Sequence, residues 1–244
     1  MKPAFLFDID GCLTLPQQPI SILDQDLLDE IRDLPVPVAM VTGRSDGWLR
    51  KQYHQLQRLD YLSIPTYIEF GLAWIDNGEI RFQEQGTAFQ QVRQQFIDLL
   101  EDYTSRQDIY FEPQTWYHDF PDHGSLWVEE KHIQLSIAAN RQVPTSQVHQ
   151  IARQAWQGFE QDARILYHHL GVDVIPANWS KAEATRHFTR QLAEADYHWY
   201  VFGDNTSDQE MLQGLTHAEF ISTTKQASTT VWEFLNQLGI VAGN

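Results

Sequence analysis

The chain has 244 residues, enough for one large domain or two modest ones with a substantial core. It carries 17 Lys and Arg against 33 Asp and Glu, a formal net charge of −16, and this repulsion argues against a nucleic acid or an anionic membrane as partner. Its one cysteine, Cys12, excludes a disulfide within the chain. With no charged leader before an apolar segment and no apolar run of transmembrane length, we expect a cytoplasmic protein.

The first predicted element is a short buried strand that ends at Phe7 and is followed by two acids. Asp8 and Asp10 flank Ile9, and Gly11 allows a sharp turn directly afterwards. In an open α/β sheet, ligands bind beyond the carboxyl ends of the strands. Two carboxylates this close repel each other unless a cation lies between them or one binds a proton. The pattern indicates a metal site or a pair of nucleophile and acid, with capping of the turn as the alternative.

Predicted helices and strands then alternate as far as residue 84. In order they are a helix that begins after Ser21 or Asp24 and contains Leu34, a strand over 38–41, a helix from Asp46, a strand over 66–68 and a hairpin with its turn at 76–78. The strand over 38–41 ends in Thr42-Gly43-Arg44. Such alternation is typical of a parallel sheet with helices on its faces.

From about Gln85 to Asp173 the pattern changes. The predicted elements are a helix through 89–100, strands at 109–111 and 126–138, a helix over 148–166 and a strand over 172–175. Strands and helices that do not alternate strictly indicate a small α+β layer. We therefore predict an α/β protein with a Rossmann-like parallel core, formed by 1–84 and 174–244, and an inserted α+β domain, 85–173.

The alternating pattern resumes after the insertion. A helix that follows Ser180-Lys181 precedes a strand over 199–202, a helix through 211–212, a strand over 220–221 and a helix from about 225 to 238. The strand over 199–202 is followed by Asp204 and Asp208. Because they are four residues apart, both acids face the same side if a helix begins there.

Four polar clusters therefore stand in chain order, three of them at strand ends. Together they resemble the haloacid dehalogenase superfamily, whose members are mostly phosphatases. The motifs that carry the resemblance are Asp8-Ile9-Asp10-Gly11, Val41-Thr42-Gly43-Arg44, Ser180-Lys181 and Gly203-Asp204-Asn205-Thr206-Ser207-Asp208. The resemblance covers 1–84 and 174–244. It implies a phosphatase whose rate comes from positioning and neutralisation of charge.

The resemblance implies a catalytic role for four residues. Asp8 is the nucleophile that forms an aspartyl-phosphate, and Asp10 protonates the leaving oxygen and then deprotonates the attacking water. Thr42 binds the transferring phosphoryl group together with the Gly43 amide, and Lys181 neutralises both Asp8 and the phosphoryl group. Read alone, Thr42 and Gly43 are a strand-to-helix turn, and Lys181 is a first-turn surface lysine.

The resemblance also implies a Mg²⁺ site, since Mg²⁺ prefers a few carboxylates with phosphate oxygen and water. Its expected ligands are the Asp8 carboxylate, the Asp10 carbonyl and Asp204, while Asp208 acts through a water or a neighbouring ligand. Arg44 is a candidate for binding substrate, and a salt bridge with a nearby acid is the alternative. Cys12 replaces the Thr or Val usual at its position and is expected to be a packing residue.

The insertion is similar to the large cap of trehalose-phosphate, sucrose-phosphate and mannosylphosphoglycerate phosphatases. Val128-Glu129-Glu130-Lys131 looks like a segment of the trehalose-phosphate phosphatases, which makes Glu129 and Lys131 candidates for substrate binding. Trp116, Tyr117 and Trp127 are candidates for stacking on a sugar. For all of these residues a solvated strand or a hydrophobic core is the alternative.

The sequence thus predicts a Mg²⁺-dependent phosphatase that acts on a phosphorylated sugar, with no nucleic acid or membrane as partner. Trehalose 6-phosphate and glycosyl-glycerate-type phosphates are the leading substrates. A phosphomutase and a non-catalytic binding protein on the same fold are the alternatives. Five histidines in or near the insertion invite a zinc hypothesis, but no spacing such as His-Glu-x-x-His is present, so we expect surface positions for His118, His123, His132, His168 and His169.

Overall fold

The structure is a computed structural model that describes residues 1–16, 22–76, 78–107, 109–115, 124–129, 131–168, 171–192, 196–224 and 226–241. The chain divides into two compact units, one formed by Met1–Phe82 with Ser180–Asn244 and the other by Gln83–Trp179. Within the described ranges, no helix has both the length and the apolar character needed to cross a bilayer.

Twelve strands and seven helices are seen in the part of the chain that the structure describes. In chain order they are β1 (Lys2–Phe7), α1 (Gln25–Asp33), β2 (Val38–Val41), α2 (Asp46–Gln55), β3 (Thr66–Ile68), β4 (Ala73–Asp76), β5 (Glu79–Phe82), α3 (Glu84–Ser105), β6 (Tyr110–Thr115), β7 (Ser125–Glu129), β8 (Leu135–Ala139), α4 (Thr145–Trp156), β9 (Ala163–His168), β10 (Gly171–Pro176), α5 (Lys181–Gln191), β11 (Tyr197–Gly203), α6 (Thr206–Gln209), β12 (Ala218–Ser222) and α7 (Ser228–Gln237).

The first unit contains a seven-stranded sheet in the order β12-β11-β1-β2-β3-β4-β5. The first five strands are parallel, and β4 and β5 extend the sheet as an antiparallel hairpin. This arrangement confirms the predicted α/β class with a parallel core. The predicted hairpin is β4–β5, although Asn77 of its turn lies outside the described residues.

The strand β1 is the middle one of the five parallel strands, and from Ala4 to Phe7 it is buried on both faces, as expected for a parallel strand with helices on each side. Phe5 and Phe7 belong to one hydrophobic cluster, and Ala4 and Leu6 belong to a second. On the first face, the ring centroid of Phe7 lies 4.9 Å from that of Phe202 in β11. The apolar run before Asp8 is therefore the strand that the two core layers share.

The second unit contains a five-stranded sheet in the order β6-β7-β8-β10-β9. Its β6 and β7 are parallel, and the other neighbours are antiparallel. The helix α4 buries Val148, Ile151 and Ala152 and contacts β8, β9 and β10. This unit is the α+β layer that the irregular pattern predicts.

Two predicted elements of the second unit are wrong. The strand predicted over 126–138 is two antiparallel strands, β7 and β8, in which Leu126 pairs with Ala139. The helix predicted over 148–166 ends at Trp156, and its last part belongs to β9. Gly158, with φ of 96°, turns the chain between them, and a short apolar run such as 163–166 fits a strand as well as a helix.

The boundaries between the units also differ from the predicted ones. We placed the return to the core at residue 174, in the middle of a predicted strand. All six residues of β10 pair with β9, so that strand belongs to the second unit as a whole. The first unit resumes at Ser180 and ends its first segment at Phe82.

Phe202 offers a test of the shared core. Its ring is fully buried and packs against Phe7 and against Phe234, whose centroid is 5.3 Å away. We expect Phe202→Ala to lower the free energy of unfolding by about 3–5 kcal/mol, because the rings of Phe7 and Phe234 cannot move far enough to fill the cavity that the substitution leaves. Urea unfolding measures it. Phe82→Ala is the matched control, since Phe82 is 48% exposed and should change stability by less than about 0.5 kcal/mol. Equal losses in the two variants would contradict this packing.

Candidate active site

The polar clusters of the first unit gather at one edge of its sheet. Asp8 follows β1, Thr42 follows β2, and Asp204 follows β11. Since these strands are adjacent and parallel, their carboxyl ends lie side by side. The first residue of α5, Lys181, reaches the same place, because its Nζ contacts Asp8. The structure thus brings together residues from all four motifs.

The ammonium group of Lys181 lies between two carboxylates. Its Nζ donates to Asp8 Oδ1 and to Asp208 Oδ1, each at 2.6 Å. The side chains of Lys181, Asp8 and Asp208 are 3%, 5% and 0% exposed. A cation at a helix N-terminus is disfavoured by the helix dipole, so the two acids supply the compensating charge. Lys181 is therefore a buried, paired lysine and not a surface residue.

Burial has the largest single effect on the pKa values of Asp8 and Lys181. Burial raises the pKa of Asp8 well above its usual range, Asp208 and Asp10 raise it further, and Lys181 opposes them. Burial lowers the pKa of Lys181, but Asp8 and Asp208 outweigh that effect and hold it above its usual range. Lys181 thus stays positively charged, and Asp8 and Asp208 share its ammonium group as a counter-ion.

Asp208 also organises the loop that precedes it. Its Oδ2 accepts hydrogen bonds from the backbone N–H groups of Asp204 at 2.9 Å and Asn205 at 3.0 Å. The Asn205 side chain accepts from the Ser207 N–H at 2.8 Å, and Asn205 and Asp208 form a reciprocal capping box. Both Asp208 oxygens therefore have protein donors, and its carboxylate fixes the loop and the lysine at the same time.

The predicted metal ligands fall into two groups. Among the described residues, Asp8, Asp204 and Asp208 offer carboxylate oxygens within 4.8 Å of one another, and such hard donors suit a divalent cation. Burial raises the pKa of Asp204, Asp208 and Asp10 add to that rise, and Asn205 and Lys181 oppose it. The Asp10 side chain is not part of this trio, which leaves its backbone carbonyl as the predicted ligand.

Gly11 allows the two acidic segments to approach each other. Its φ is 68°, and a Cβ at this position would overlap Asp204 Oδ2. The turn is also held by hydrogen bonds, from Gly11 N–H to Thr14 Oγ1 at 3.1 Å and from Thr223 Oγ1 to the Gly11 carbonyl at 2.7 Å. The glycine is therefore required by the turn and by the carboxylate beside it.

Thr42 and Gly43 lie against a strained segment that the sequence did not reveal. Glu69, Phe70 and Gly71 all have positive φ, of 52°, 60° and 84°. The Phe70 N–H donates to the Thr42 carbonyl at 2.9 Å, and a Cβ on Gly43 would lie 2.9 Å from Phe70 Cε2. Left-handed non-glycine residues cost about 1–3 kcal/mol each and cluster at functional sites. Of these three residues, only Gly71 is of a type that readily adopts a positive φ.

Phe70 also contacts the charged centre of the site. Its ring centroid lies 5.6 Å from Lys181 Nζ, within range of a cation–π interaction. The strained turn thus places an aromatic face beside both Gly43 and the lysine.

Arg44 binds Asp10, which is the salt bridge weighed as the alternative to substrate binding. Its Nε and Nη2 donate to the two Asp10 carboxylate oxygens, each at 2.8 Å. The guanidinium carbon lies 4.7 Å from the centroid of the Trp48 ring. Cys12 is fully buried in the hydrophobic cluster that contains Phe7, which supports a packing role.

The candidates in the second unit lie among polar side chains. Lys131 is 4% exposed, and its Nζ lies 3.3 Å from Glu129 Oε2 and 2.5 Å from Ser136 Oγ. Trp127 is 3% exposed, which favours a core role over stacking on a sugar. Trp116, Tyr117, His118, His123 and His169 lie outside the described residues. Of the other two histidines, His132 is exposed and His168 is partly exposed, with its Nε2 3.9 Å from Asp173 Oδ2.

Removal of the Lys181 charge should destabilise the protein in a pH-dependent way. Lys181→Met leaves two buried carboxylates uncompensated, and we expect a loss of about 3–5 kcal/mol in the free energy of unfolding near neutral pH. Lys181 opposes the rise in the pKa of Asp8, so without the lysine that pKa should rise further, and the folded variant should bind protons that the folded wild type does not. The deficit should therefore shrink as the pH falls from about 7 to about 5.

Urea unfolding at both pH values, in the presence of EDTA, measures this effect. The control is Lys51→Met, because Lys51 is an exposed residue of α2 and its loss should change little at either pH. A deficit for Lys181→Met that is the same at both pH values would contradict the buried arrangement of charges.

Comparison of the sequence with known proteins identifies its family. The sequence model of a family described as haloacid dehalogenase-like hydrolase matches residues 5–234. No curated protein matches the sequence.

Solved structures resemble the chain in fold at low sequence identity. A trehalose-6-phosphate phosphatase related protein has a TM-score of 0.58 at 19% identity, over 97% of this chain and 99% of its own. The C-terminal domain of trehalose-6-phosphate phosphatase from C. albicans has a TM-score of 0.58 at 18% identity, over 98% of this chain and 76% of its own. The Thermoplasma acidophilum protein 0175 has a TM-score of 0.62 at 14% identity, over 99% of this chain and 100% of its own. At these identities the likeness shows the fold alone.

The family match spans most of the chain and includes all four motifs. The parallel sheet, the buried Lys181 and the acids at the strand ends agree with that match. The chain therefore belongs to the haloacid dehalogenase-like hydrolases.

Proposed function

We propose that this protein is a Mg²⁺-dependent phosphatase that hydrolyses a phosphorylated sugar through an aspartyl-phosphate. The observation that carries the proposal is the buried Asp8, held at a strand end by the Lys181 ammonium and placed beside Asp204 and Asp208. A buried carboxylate with a fixed cation and a cluster of oxygen donors suits attack on a phosphate ester, because the negative charges must be neutralised.

In the first step, Asp8 attacks the phosphorus of the ester. Its Oδ1 accepts from Lys181, and Oδ2 is the oxygen that we assign to the attack. The new bond joins Oδ2 to phosphorus, and the bond from phosphorus to the sugar oxygen breaks. Asp10 gives its proton to that oxygen, so the sugar leaves as an alcohol. Thr42 and the Gly43 N–H bind the phosphoryl oxygens in this proposal.

In the second step, water hydrolyses the aspartyl-phosphate. Asp10, now ionised, takes a proton from the water as the water oxygen bonds to phosphorus. The bond between phosphorus and Asp8 breaks, which releases inorganic phosphate and restores the carboxylate. One residue thus serves as acid and then as base, and the enzyme returns to its starting state.

Asp8, Asp204 and the Asp10 carbonyl would hold Mg²⁺, with Asp208 supporting them through the loop that it caps. When bound, the cation supplies positive charge that shields the nucleophile from the anionic substrate. The net charge of −16 makes such local neutralisation necessary for any phosphorylated substrate.

The second unit is the part that we assign to recognition of the sugar, as a cap. Trehalose 6-phosphate and glycosyl-glycerate-type phosphates are the proposed substrates, and the fold shared with trehalose-6-phosphate phosphatases supports this choice. Glu129 and Lys131 are the proposed contacts. Lys131 is buried beside Ser136 and Glu129, so the proposal requires the sugar hydroxyls to join an existing polar group.

Phosphate release tests the proposal. We expect release from at least one member of a panel of sugar phosphates with Mg²⁺ and little release with EDTA. Asp8→Asn should lower kcat at least about 1000-fold, because the amide is a poor nucleophile. The matched control is Asp33→Asn, since Asp33 is an exposed acid in α1 and should leave the rate unchanged.

Two results would contradict the proposal. One is no release of phosphate from any ester, and the other is an Asp8→Asn variant as active as the wild type. Formation of an isomeric sugar phosphate without free phosphate would favour the phosphomutase instead.

A further inference from the structure

We propose that Arg44 is a positioning residue, which holds the Asp10 side chain in the orientation needed to transfer a proton to the leaving oxygen. This inference rests on the proposed phosphatase function and assigns to Arg44 a role other than binding the substrate. Its basis is the arrangement of Arg44, Asp10 and Trp48 at the edge of the sheet.

The contact between Arg44 and Asp10 is bidentate. Nε donates to Oδ2 and Nη2 donates to Oδ1, both at 2.8 Å. Two parallel hydrogen bonds from a planar guanidinium fix the direction and the rotation of a carboxylate, whereas a lysine ammonium would fix its distance only. This pair of hydrogen bonds, which we call the fork, therefore determines which way the Asp10 carboxyl group faces.

Arg44 is itself held at three points. Its N–H donates to Thr42 Oγ1 at 3.1 Å, and its carbonyl accepts from the Glu69 N–H at 3.0 Å. Its guanidinium carbon lies 4.7 Å from the ring centroid of Trp48, one turn further along the chain. The motif around Thr42, the strained turn and α2 thus all support the fork.

Asp10 requires such support more than Asp8 does. The Asp10 side chain is 35% exposed, against 5% for Asp8, and it stands directly before the left-handed Gly11. A half-exposed side chain beside a tight turn has several accessible rotamers. Misplacement of a catalytic group by about 1 Å can cost about 100-fold in rate, so the rotamer has to be fixed.

The fork is compatible with transfer of the proton. When one Asp10 oxygen carries the proton, the other still accepts from the guanidinium and keeps the carboxyl group in place. As the ester bond breaks, that proton moves to the departing sugar oxygen, and the ionised carboxylate then accepts from both nitrogen atoms again. Arg44 neither gains nor loses a proton in this cycle.

A role for Arg44 in substrate binding makes a different prediction. A guanidinium that bound the phosphate group would assist every phosphate ester equally. One that positions Asp10 assists only those esters whose leaving oxygen needs a proton. The chemistry of the leaving group therefore separates the two roles.

The test compares two substrates by kcat/KM, which reports the steps up to phosphorylation of Asp8. One is the sugar phosphate that the wild type hydrolyses best, and the other is p-nitrophenyl phosphate, whose leaving group departs without a proton. We expect Arg44→Met to lower kcat/KM about 10- to 100-fold for the sugar phosphate and less than about 3-fold for the aryl ester. Arg44→Lys should resemble Arg44→Met, because a lysine cannot form the fork.

Arg50→Met is the control, since Arg50 lies on α2, the helix that contains Trp48, and its Nε pairs with Asp46 Oδ2 at 3.3 Å rather than with Asp10. It should lower neither rate. Retained hydrolysis of the aryl ester shows that the Arg44 variants are folded. Equal losses for both substrates, or full activity of Arg44→Lys, would overturn the inference while leaving the phosphatase intact. A wild type that hydrolyses neither ester would overturn the proposed function and the inference with it.

Discussion

The buried ammonium of Lys181 is the constraint on which the rest of the site depends. A lysine that is 3% exposed requires charge compensation, and Asp8 and Asp208 provide it at 2.6 Å each. Because Asp208 also caps the loop of Asp204 and Asn205, one charge links β1, α5 and the loop after β11. The fold thus places four acids at one edge of the sheet, and the positive charge of Lys181 offsets the repulsion between them.

The two acids of the first motif have different environments, and that difference suits different roles. Asp8 is buried and paired with a lysine, so its geometry and charge are fixed by the core. Asp10 is partly exposed and held by an arginine that lies on Trp48. A nucleophile has to be pointed at one atom, while an acid and base has to exchange protons with the leaving oxygen and with water. Burial of one and exposure of the other meet both needs.

From the sequence we predicted the parallel core and placed the site motifs at the ends of the strands where the structure has them, since a buried strand that ends in acids is a local pattern. It failed where structure depends on partners distant in the chain. The strand β9 looked helical because its apolar run is short and its pairing with β10 is not visible in a single segment. The positive φ of Glu69 and Phe70 had no signal, because neither residue type favours that conformation and tertiary contacts impose it. The family resemblance implied the pairing of Lys181 with Asp8, whereas its contact with Asp208 was not predicted.

The central claim is that Asp8 becomes phosphorylated during hydrolysis of a phosphate ester. The most direct measurement uses Asp10→Asn, which lacks the base for the second step, with p-nitrophenyl phosphate, whose leaving group needs no proton. After rapid quenching in acid, peptide mass spectrometry locates any covalent phosphoryl group. The account predicts one phosphoryl group on the peptide that contains Asp8, and none when Asp8→Asn is added. A phosphoryl group on another residue, or nitrophenol released with no covalent adduct at any time, would contradict it.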